Sequence, residues 1–226
     1  MSITHISPSV YKFLKELKNN NNREWFEANK KSFKVEEASV KKFFNDLNSE
    51  MSTHDEIDKM KMFRIYRDVR FSKDKTPYKS HLSGSFHRSK PKLRGGYYLH
   101  IEPSNTFIAC GFWEPEKNDL LRIRKEFEMD DTEIREIINA KDFKDTFGKL
   151  EGDELKTAPK GFDKEHPAID LLRMKQYIAI KRFTDKEAMS SDFMSKINDS
   201  YRVARPWFNY MSEVLTTDLN GVSLIN

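Results

Sequence analysis

Apolar residues recur every three or four positions in the first quarter of the chain, a spacing that predicts two helices. Ser9 is the predicted N-cap of the first helix, and the asparagine run Asn19–Asn22 ends it. A second, long helix is predicted over residues 23–51, with Asn22 as its N-cap. Its apolar stripe includes Trp25, Phe26, Phe33, Val40, Phe43, Phe44 and Leu47. This stripe is typical of a helix that packs on a core.

The middle of the chain changes to a period of two, which is typical of β-strands. Four strands are predicted there, at residues 62–71, 81–87, 96–102 and 106–113. The short turn 103–105 joins the last two strands into a hairpin. Gly84 and Gly111 lie inside these strands, where glycine indicates a bulge or the close approach of a ligand or another chain segment.

Helical spacing returns after Pro115, with predicted N-caps at Asn118 or Asp119 and then at Asp131 or Thr132. Residues 148–168 are predicted to be a loop, and 174–183 a strand. A last helix is predicted from Ser190 or Ser191 toward Leu215, kinked at Pro206. The predicted class is α+β: a mainly antiparallel central sheet, from about residues 61–113 plus the strand near 174–183, packed against N- and C-terminal helices. We expect residues 1–226 to form a single domain, because no repeat or linker divides them.

The charge is concentrated in one part of the chain. The net charge of the whole chain is +4, but residues 59–94 alone carry twelve basic and two acidic residues. The rest of the chain is therefore net acidic. An aromatic content of 12% argues against a disordered chain. The composition thus predicts a folded domain with one basic region.

The sequence contains a single cysteine and no apolar segment typical of a signal peptide or a membrane span. Cys110 is the only cysteine and lies in an apolar run, so we expect a small buried core residue and no disulfide. No stretch approaches the roughly 18 apolar residues of a membrane span, and the N-terminal residues lack an apolar signal-peptide core. We expect a cytoplasmic protein that does not enter a membrane.

The basic region centres on FRIYRDVRFSKDKTPYK, residues 63–79. If residues 62–71 form one strand, Arg64, Tyr66, Asp68 and Arg70 share a face; Arg67 breaks the alternation. Clustered guanidinium groups repel one another unless carboxylates or a bound anion lie between them. Asp68 and Asp74 are the only local carboxylates. The segment therefore predicts either an anion site or a structural network completed by acids from the helices.

A second cluster lies on the third strand, where Tyr98, His100 and Glu102 share a face. His100 and Glu102 could act as an acid–base pair or bind a metal, or could be a plain hydrogen-bonded pair. Two ligands do not make a metal site, so no metal site is predicted. Trp113, at the exit of the hairpin, either closes the core edge, which we favour, or covers a ligand. His166 either caps the short helix after Pro167 or reaches the site.

Sequence motifs of known catalytic classes are missing. The chain has no P-loop, GxGxxG, G-x-S-x-G, H-E-x-x-H or C-x-x-C motif. The sequence therefore names no cofactor and no reaction.

Several ordered motifs resemble the bacterial family of unknown function numbered 2461. They are NNREWFEANKKSF, RIYRDVRFSKDKTPYK, GGYYLHIEP, GFWEPEKNDLLRIR and PKGFDKEHPAIDLLRMKQY, and the likeness runs from about residue 8 to about 215. The resemblance implies one complete domain and places the basic motif, Tyr98, His100 and Glu102 on signature motifs. It implies no activity. Where family members often carry a glycine-rich run before the tryptophan, this chain has ACGFW.

The leading hypothesis is a pocket for a small anionic ligand, phosphorylated or carboxylated, in a protein that is a binder or an enzyme. In an enzyme, His100 would be the general acid–base and Glu102 its orienting partner. The predicted ligand-binding residues are Arg64, Tyr66, Arg67, Asp68, Arg70, Lys73, Tyr78, Lys79, Tyr98 and Trp113. One alternative is single-stranded nucleic-acid binding, which the short basic stretch and the acid-rich helices disfavour. The other is a structural or interaction module with internally paired charges.

Overall fold

The computed structural model describes residues 4–225. The helices found in this part of the chain are α1 (Pro8–Asn19), α2 (Arg23–Met51), α3 (Lys117–Met129), α4 (Thr132–Asn139), α5 (Lys141–Phe147), α6 (Ile169–Arg173), α7 (Asp185–Ala188), α8 (Phe193–Val203) and α9 (Arg205–Thr216). The strands are β1 (Ile57–Met62), β2 (Leu82–Arg88), β3 (Gly96–Ile101), β4 (Thr106–Phe112) and β5 (Tyr177–Phe183). They form one antiparallel sheet in the order β1-β2-β3-β4-β5. The predicted α+β class is confirmed.

The predicted strand over residues 62–71 is wrong. The first strand is β1, and the chain after it runs irregularly up to β2. This irregular segment pairs with itself: Tyr66 and Tyr78 form an isolated antiparallel bridge, and the Arg67 amide donates to the Pro77 carbonyl at 2.9 Å. Asp68 and Asp74 accept hydrogen bonds from backbone amides two residues further on, which favours turns over a strand.

Helix boundaries follow local capping chemistry. Asn22 accepts from the Trp25 amide at 2.9 Å and starts α2, so the prediction over 23–51 is confirmed. Ser7, rather than Ser9, caps α1. The predicted caps Asn118 and Asp119 lie within the first turn of α3.

The predicted C-terminal helix is divided. Pro206 lies at the start of α9 rather than at a kink, because the first turn of a helix has no use for the amide that proline lacks. The helix α5 was not predicted.

The contacts between residues divide the chain into two compact units. The first takes residues up to Phe86 together with Tyr98–Ile108 and Arg182–Asp199. The second takes His87–Tyr97, Ala109–Lys181 and the residues from Ser200 onward.

The core of the first unit lies where α1 and α2 meet strand residues. Phe44 of α2 stacks on Phe86 of β2, with ring centroids 5.7 Å apart. A Cβ on Gly84 would lie 2.6 Å from the Phe44 ring, so the sequence-predicted close approach at Gly84 is that of a chain segment. Leu99 and Ile101 of β3 are fully buried. Strand alternation then places Tyr98 and His100 on the other face of β3.

The core of the second unit is rich in aromatic side chains. Trp207, Tyr97, Phe127 and Tyr177 are all fully or almost fully buried. Arg88 of the same unit is also buried, with 1% exposure, and lies over the Phe208 ring. None of the helices in residues 4–225 is both long enough and apolar enough to cross a membrane.

Candidate functional site

His100 and Glu102 are in direct contact. The His100 Nε2 atom lies 3.2 Å from Glu102 Oε2, and the Tyr98 hydroxyl lies 3.0 Å from His100 Nδ1. An ionised carboxylate only accepts hydrogen bonds, so neutral His100 carries its proton on Nε2 and accepts from Tyr98 on Nδ1. Phe107 stacks on the His100 ring, with centroids 4.6 Å apart. The imidazole is thus held on three sides.

Glu102 is held by several donors besides His100. Ser80 donates to its Oε1 atom at 2.8 Å, and Asn105 donates to its Oε2 atom at 3.0 Å. The Lys18 ammonium lies 3.8 Å from Oε1. Burial alone would raise the pKa of Glu102, but the hydrogen bonds from Asn105, Ser80 and His100 outweigh it and bring the pKa to about 2. Glu102 is therefore a fixed carboxylate at neutral pH.

His81 joins this pair from the segment just before β2. Its ring centroid is 4.1 Å from that of His100, and one ligand atom from each of His81, His100 and Glu102 lies within 4.8 Å of the others. Burial, and then the neighbouring His100, lowers the pKa of His81 to about 4, while burial lowers that of His100. We call these three residues the histidine–carboxylate cluster.

His81 is not among the site residues predicted from the sequence, although residues 81–87 and 96–102 are both predicted strands. Consecutive antiparallel strands bring the start of one next to the end of the following one. The start of β2 and the end of β3 therefore meet, and His81 and Glu102 lie at these two positions. A register prediction for this strand pair could have found the third residue.

The basic segment is partly neutralised by its own acids. Arg67 pairs with Asp74 and also donates to the Thr76 hydroxyl. The Asp74 pKa falls to about 2, chiefly through the Thr76 amide and then through Arg67. Arg70 pairs with Asp68 at 2.6 Å on the surface. Two of the predicted anion-binding arginines therefore already have carboxylate partners.

Three other cations among the predicted ligand-binding residues have no carboxylate partner in the part of the chain that the structure describes. Within residues 4–225, no carboxylate lies within ion-pair distance of Arg64, Lys73 or Lys79. Lys79 is half-buried, and burial followed by repulsion from Arg64 lowers its pKa. Lys79 also acts electrostatically on His81. The structure thus brings Lys79 near the histidine–carboxylate cluster and Arg64 near Lys79, while Lys73 is exposed in the loop.

Three of the predicted aromatic ligand-binding residues, Tyr66, Tyr78 and Trp113, lie in different environments. Tyr66 is half exposed. Tyr78 is buried and stacks on Phe26 with centroids 3.9 Å apart. Trp113 belongs to the second unit and is 66% exposed, so the expectation that it closes the core edge is wrong. The tryptophan follows Phe112, which takes the buried position at the end of β4.

Cys110 is buried, as predicted, and burial strongly raises the pKa of its thiol. We expect the native protein to react negligibly with a thiol reagent such as DTNB over several minutes, because the thiolate is the reactive form. The same protein in guanidinium chloride should release one equivalent of chromophore. Rapid labelling of the native protein would contradict the buried position.

Other polar features have local structural roles. His166 Nδ1 accepts from the Ala168 amide at 3.1 Å in the turn before α6, whose N-cap is Ala168 rather than His166. Two shallow clefts are found elsewhere in the first unit. One, of about 460 Å³, lies between α1 and Asp185, and the other, of about 450 Å³, lies between Arg23 and Lys75. Neither is lined by the histidine–carboxylate cluster.

These features define an α+β protein in which His100 of β3 and Glu102 directly after it form a histidine–carboxylate pair, close to a lysine, Lys79, for which residues 4–225 supply no carboxylate partner. The chain belongs to the family DUF2461, described as a conserved hypothetical protein, whose profile matches residues 9–210. The resemblance inferred from the sequence motifs is therefore confirmed. No curated protein and no solved structure matches the chain.

Proposed function

We propose that the protein binds a small anionic ligand, phosphorylated or carboxylated, beside the histidine–carboxylate cluster. The observation that carries this proposal is that Lys79, whose amide donates to the Ile65 carbonyl at 2.8 Å, lies near enough to Arg64 to be repelled by it, while residues 4–225 supply no carboxylate partner for either cation. The only cysteine makes an internal disulfide impossible, which supports a cytoplasmic location as part of the same proposal.

The positive charges of Arg64 and Lys79 carry an electrostatic cost in the folded protein. Two like charges held close together destabilise the fold unless an opposite charge relieves the repulsion. Lys79 is also partly removed from water, which makes its charge more costly. An anion that accepts from both side chains would relieve the repulsion and replace the lost hydration. Arg64 supplies a planar fork suited to phosphate or carboxylate, and Lys79 supplies a point charge.

The histidine–carboxylate pair supports an enzymatic form of the same proposal. Glu102 would orient the His100 ring, and the hydrogen bond from Tyr98 to Nδ1 would link His100 to a hydroxyl that can face a ligand. In this arrangement a proton of the ligand would pass to the Tyr98 oxygen as the Tyr98 proton passes to Nδ1, and Glu102 would stabilise the imidazolium that results. Tyr98 therefore joins His100 and Glu102 in the proposed proton path.

We expect one class of anion to raise the melting temperature of the full chain in a thermal-shift screen. The screen would use phosphate, sulfate, nucleotides, sugar phosphates, dicarboxylates and short oligonucleotides. A ligand that binds only the folded state stabilises it by mass action. Calorimetric titration should then show at least a tenfold loss of affinity in Lys79→Met and in Arg64→Met. Both unliganded variants should melt at or above the temperature of the wild type, because each loses a repulsive charge.

The matched control is Lys31→Met, which removes the same charge from an exposed position of α2. Its anion affinity should change less than twofold. An equal loss in all three variants would instead indicate a general charge effect. Binding confined to oligonucleotides, with a steep salt dependence, would favour the nucleic-acid alternative. A clear loss of stability in Lys79→Met without any anion effect would favour the structural alternative.

A further inference from the structure

We infer that His81, His100 and Glu102 together bind one divalent transition-metal ion. The inference goes beyond anion binding, because it concerns a cation and uses different side chains. Two imidazoles and one carboxylate form a ligand set that proteins use for catalytic zinc and for non-haem iron. Such a set leaves at least one coordination position for water or a ligand.

The distances suit a shared ion. Tetrahedral zinc with bonds of about 2.0–2.1 Å holds neighbouring ligand atoms roughly 3.3–3.5 Å apart. His100 Nε2 and Glu102 Oε2 are 3.2 Å apart. The ligand atom of His81 lies within 4.8 Å of both. A shift of His81 by somewhat more than 1 Å would therefore complete the set.

His81 has the freedom to make this shift. It is only half-buried, and its ring forms no hydrogen bond with any residue in the range 4–225. Its main neighbour is the His100 ring, against which it lies tilted by 34°. A neutral imidazole without a hydrogen-bond partner beside a second imidazole and a carboxylate has ligand nitrogens to offer.

The other two ligands have the outer contacts that orient metal ligands. The hydroxyl of Tyr98 lies 3.0 Å from His100 Nδ1, so Nδ1 can donate to it while Nε2 binds the ion. Ser80 and Asn105 each donate to the Glu102 carboxylate and fix its orientation. These contacts approach the ligands from outside and leave His100 Nε2 directed at Glu102.

The charge of Lys79 allows a test that distinguishes metal binding from anion binding. Lys79 acts electrostatically on His81, and its positive charge opposes a bound cation. Removing that charge should tighten metal binding, whereas the same change should weaken anion binding. The variant Lys79→Met therefore gives opposite results for the two proposals, and either proposal can fail without the other.

The experiment is equilibrium dialysis of the full chain, stripped with EDTA and free of phosphate, against Zn²⁺, with metal counted by mass spectrometry. We expect one Zn²⁺ per chain, and visible absorption bands when Co²⁺ is used as the spectroscopic probe. His81→Gln and Glu102→Gln should each weaken Zn²⁺ binding at least tenfold, and His100→Gln at least a hundredfold. Lys79→Met should bind at least as tightly as the wild type.

His87→Gln is the matched control, because His87 is an exposed histidine of β2. It should leave the dissociation constant within twofold of the wild type. His81→Gln keeps the inference testable if the more buried variants fold poorly. Substoichiometric binding by the wild type would overturn the inference, as would an equal loss in His87→Gln and His81→Gln.

Discussion

Gly111→Ala is expected to destabilise the protein by about 4 kcal/mol or more, which would place it among the most damaging single substitutions in the chain. A Cβ at this position would lie 2.1 Å from the Tyr177 carbonyl oxygen and 2.7 Å from the Trp207 ring. The backbone also has a φ of +140°, which side-chain-bearing residues rarely adopt. Neither the carbonyl of β5 nor the buried indole can move away without disturbing the core of the second unit. Guanidinium denaturation followed by circular dichroism would measure the loss.

Gly148→Ala separates the two causes of the loss expected at Gly111, which are the steric clash of the added Cβ and the strain of a positive φ. Gly148 has a φ of +76°, but an added Cβ would have no atom within 4 Å. This control therefore reports backbone strain alone, at a φ of +76° and a ψ of −77°, which we expect to cost about 1–3 kcal/mol. If Gly111→Ala costs no more than Gly148→Ala, the close approach of β4 to Tyr177 does not constrain the fold. A loss of several kcal/mol at Gly111 alone would support the steric account.

Gly111 also illustrates what the sequence could predict. Glycine inside an otherwise regular strand indicated a bulge or a close approach, and for a close approach it left open whether the neighbour is a ligand or another part of the chain. The contact with Tyr177 depends on β5 lying next to β4, after more than sixty intervening residues. Local spacing carries no information about such a neighbour. Helix α2 was predictable to its ends because its apolar stripe and its Asn22 cap are local features.

Only part of the candidate site could likewise be predicted from local sequence patterns. His100 and Glu102 were predictable as a pair because alternate residues of one strand share a face. His81 was not, because it meets them only through the pairing of β2 with β3. The basic segment was mistaken for a strand because Phe63, Ile65, Val69 and Phe71 alternate with polar residues. In the structure Phe71 is 96% exposed, since the turns made by Asp68 and Asp74 override that pattern.

Arg88→Ala is the second substitution with a large expected effect, a loss of about 4 kcal/mol. The Arg88 side chain is 1% exposed, and its guanidinium lies 5.1 Å from the centroid of the Phe208 ring. It donates to the carbonyl oxygen of Arg94 at 3.0 Å and to the Ser212 hydroxyl at 3.2 Å. Truncation would create a large cavity and remove the guanidinium donor from the Arg94 carbonyl, while the Ser212 hydroxyl would accept only the hydrogen bond from the Arg94 amide. Both the cavity and the lost hydrogen bonds destabilise a core. Urea denaturation would measure the change in the free energy of unfolding.

Arg88→Met distinguishes packing from hydrogen bonding, because methionine fills much of the arginine volume but donates no hydrogen bond. We expect this variant to lose about 2 kcal/mol, so that the remaining difference from Arg88→Ala measures the cavity. Arg202→Met, at an exposed position of α8, should stay within about 0.5 kcal/mol of the wild type. A methionine variant as stable as the wild type would show that the buried charge costs as much as its hydrogen bonds contribute. Arg88 would then stabilise the second unit through its volume and its contact with Phe208 alone.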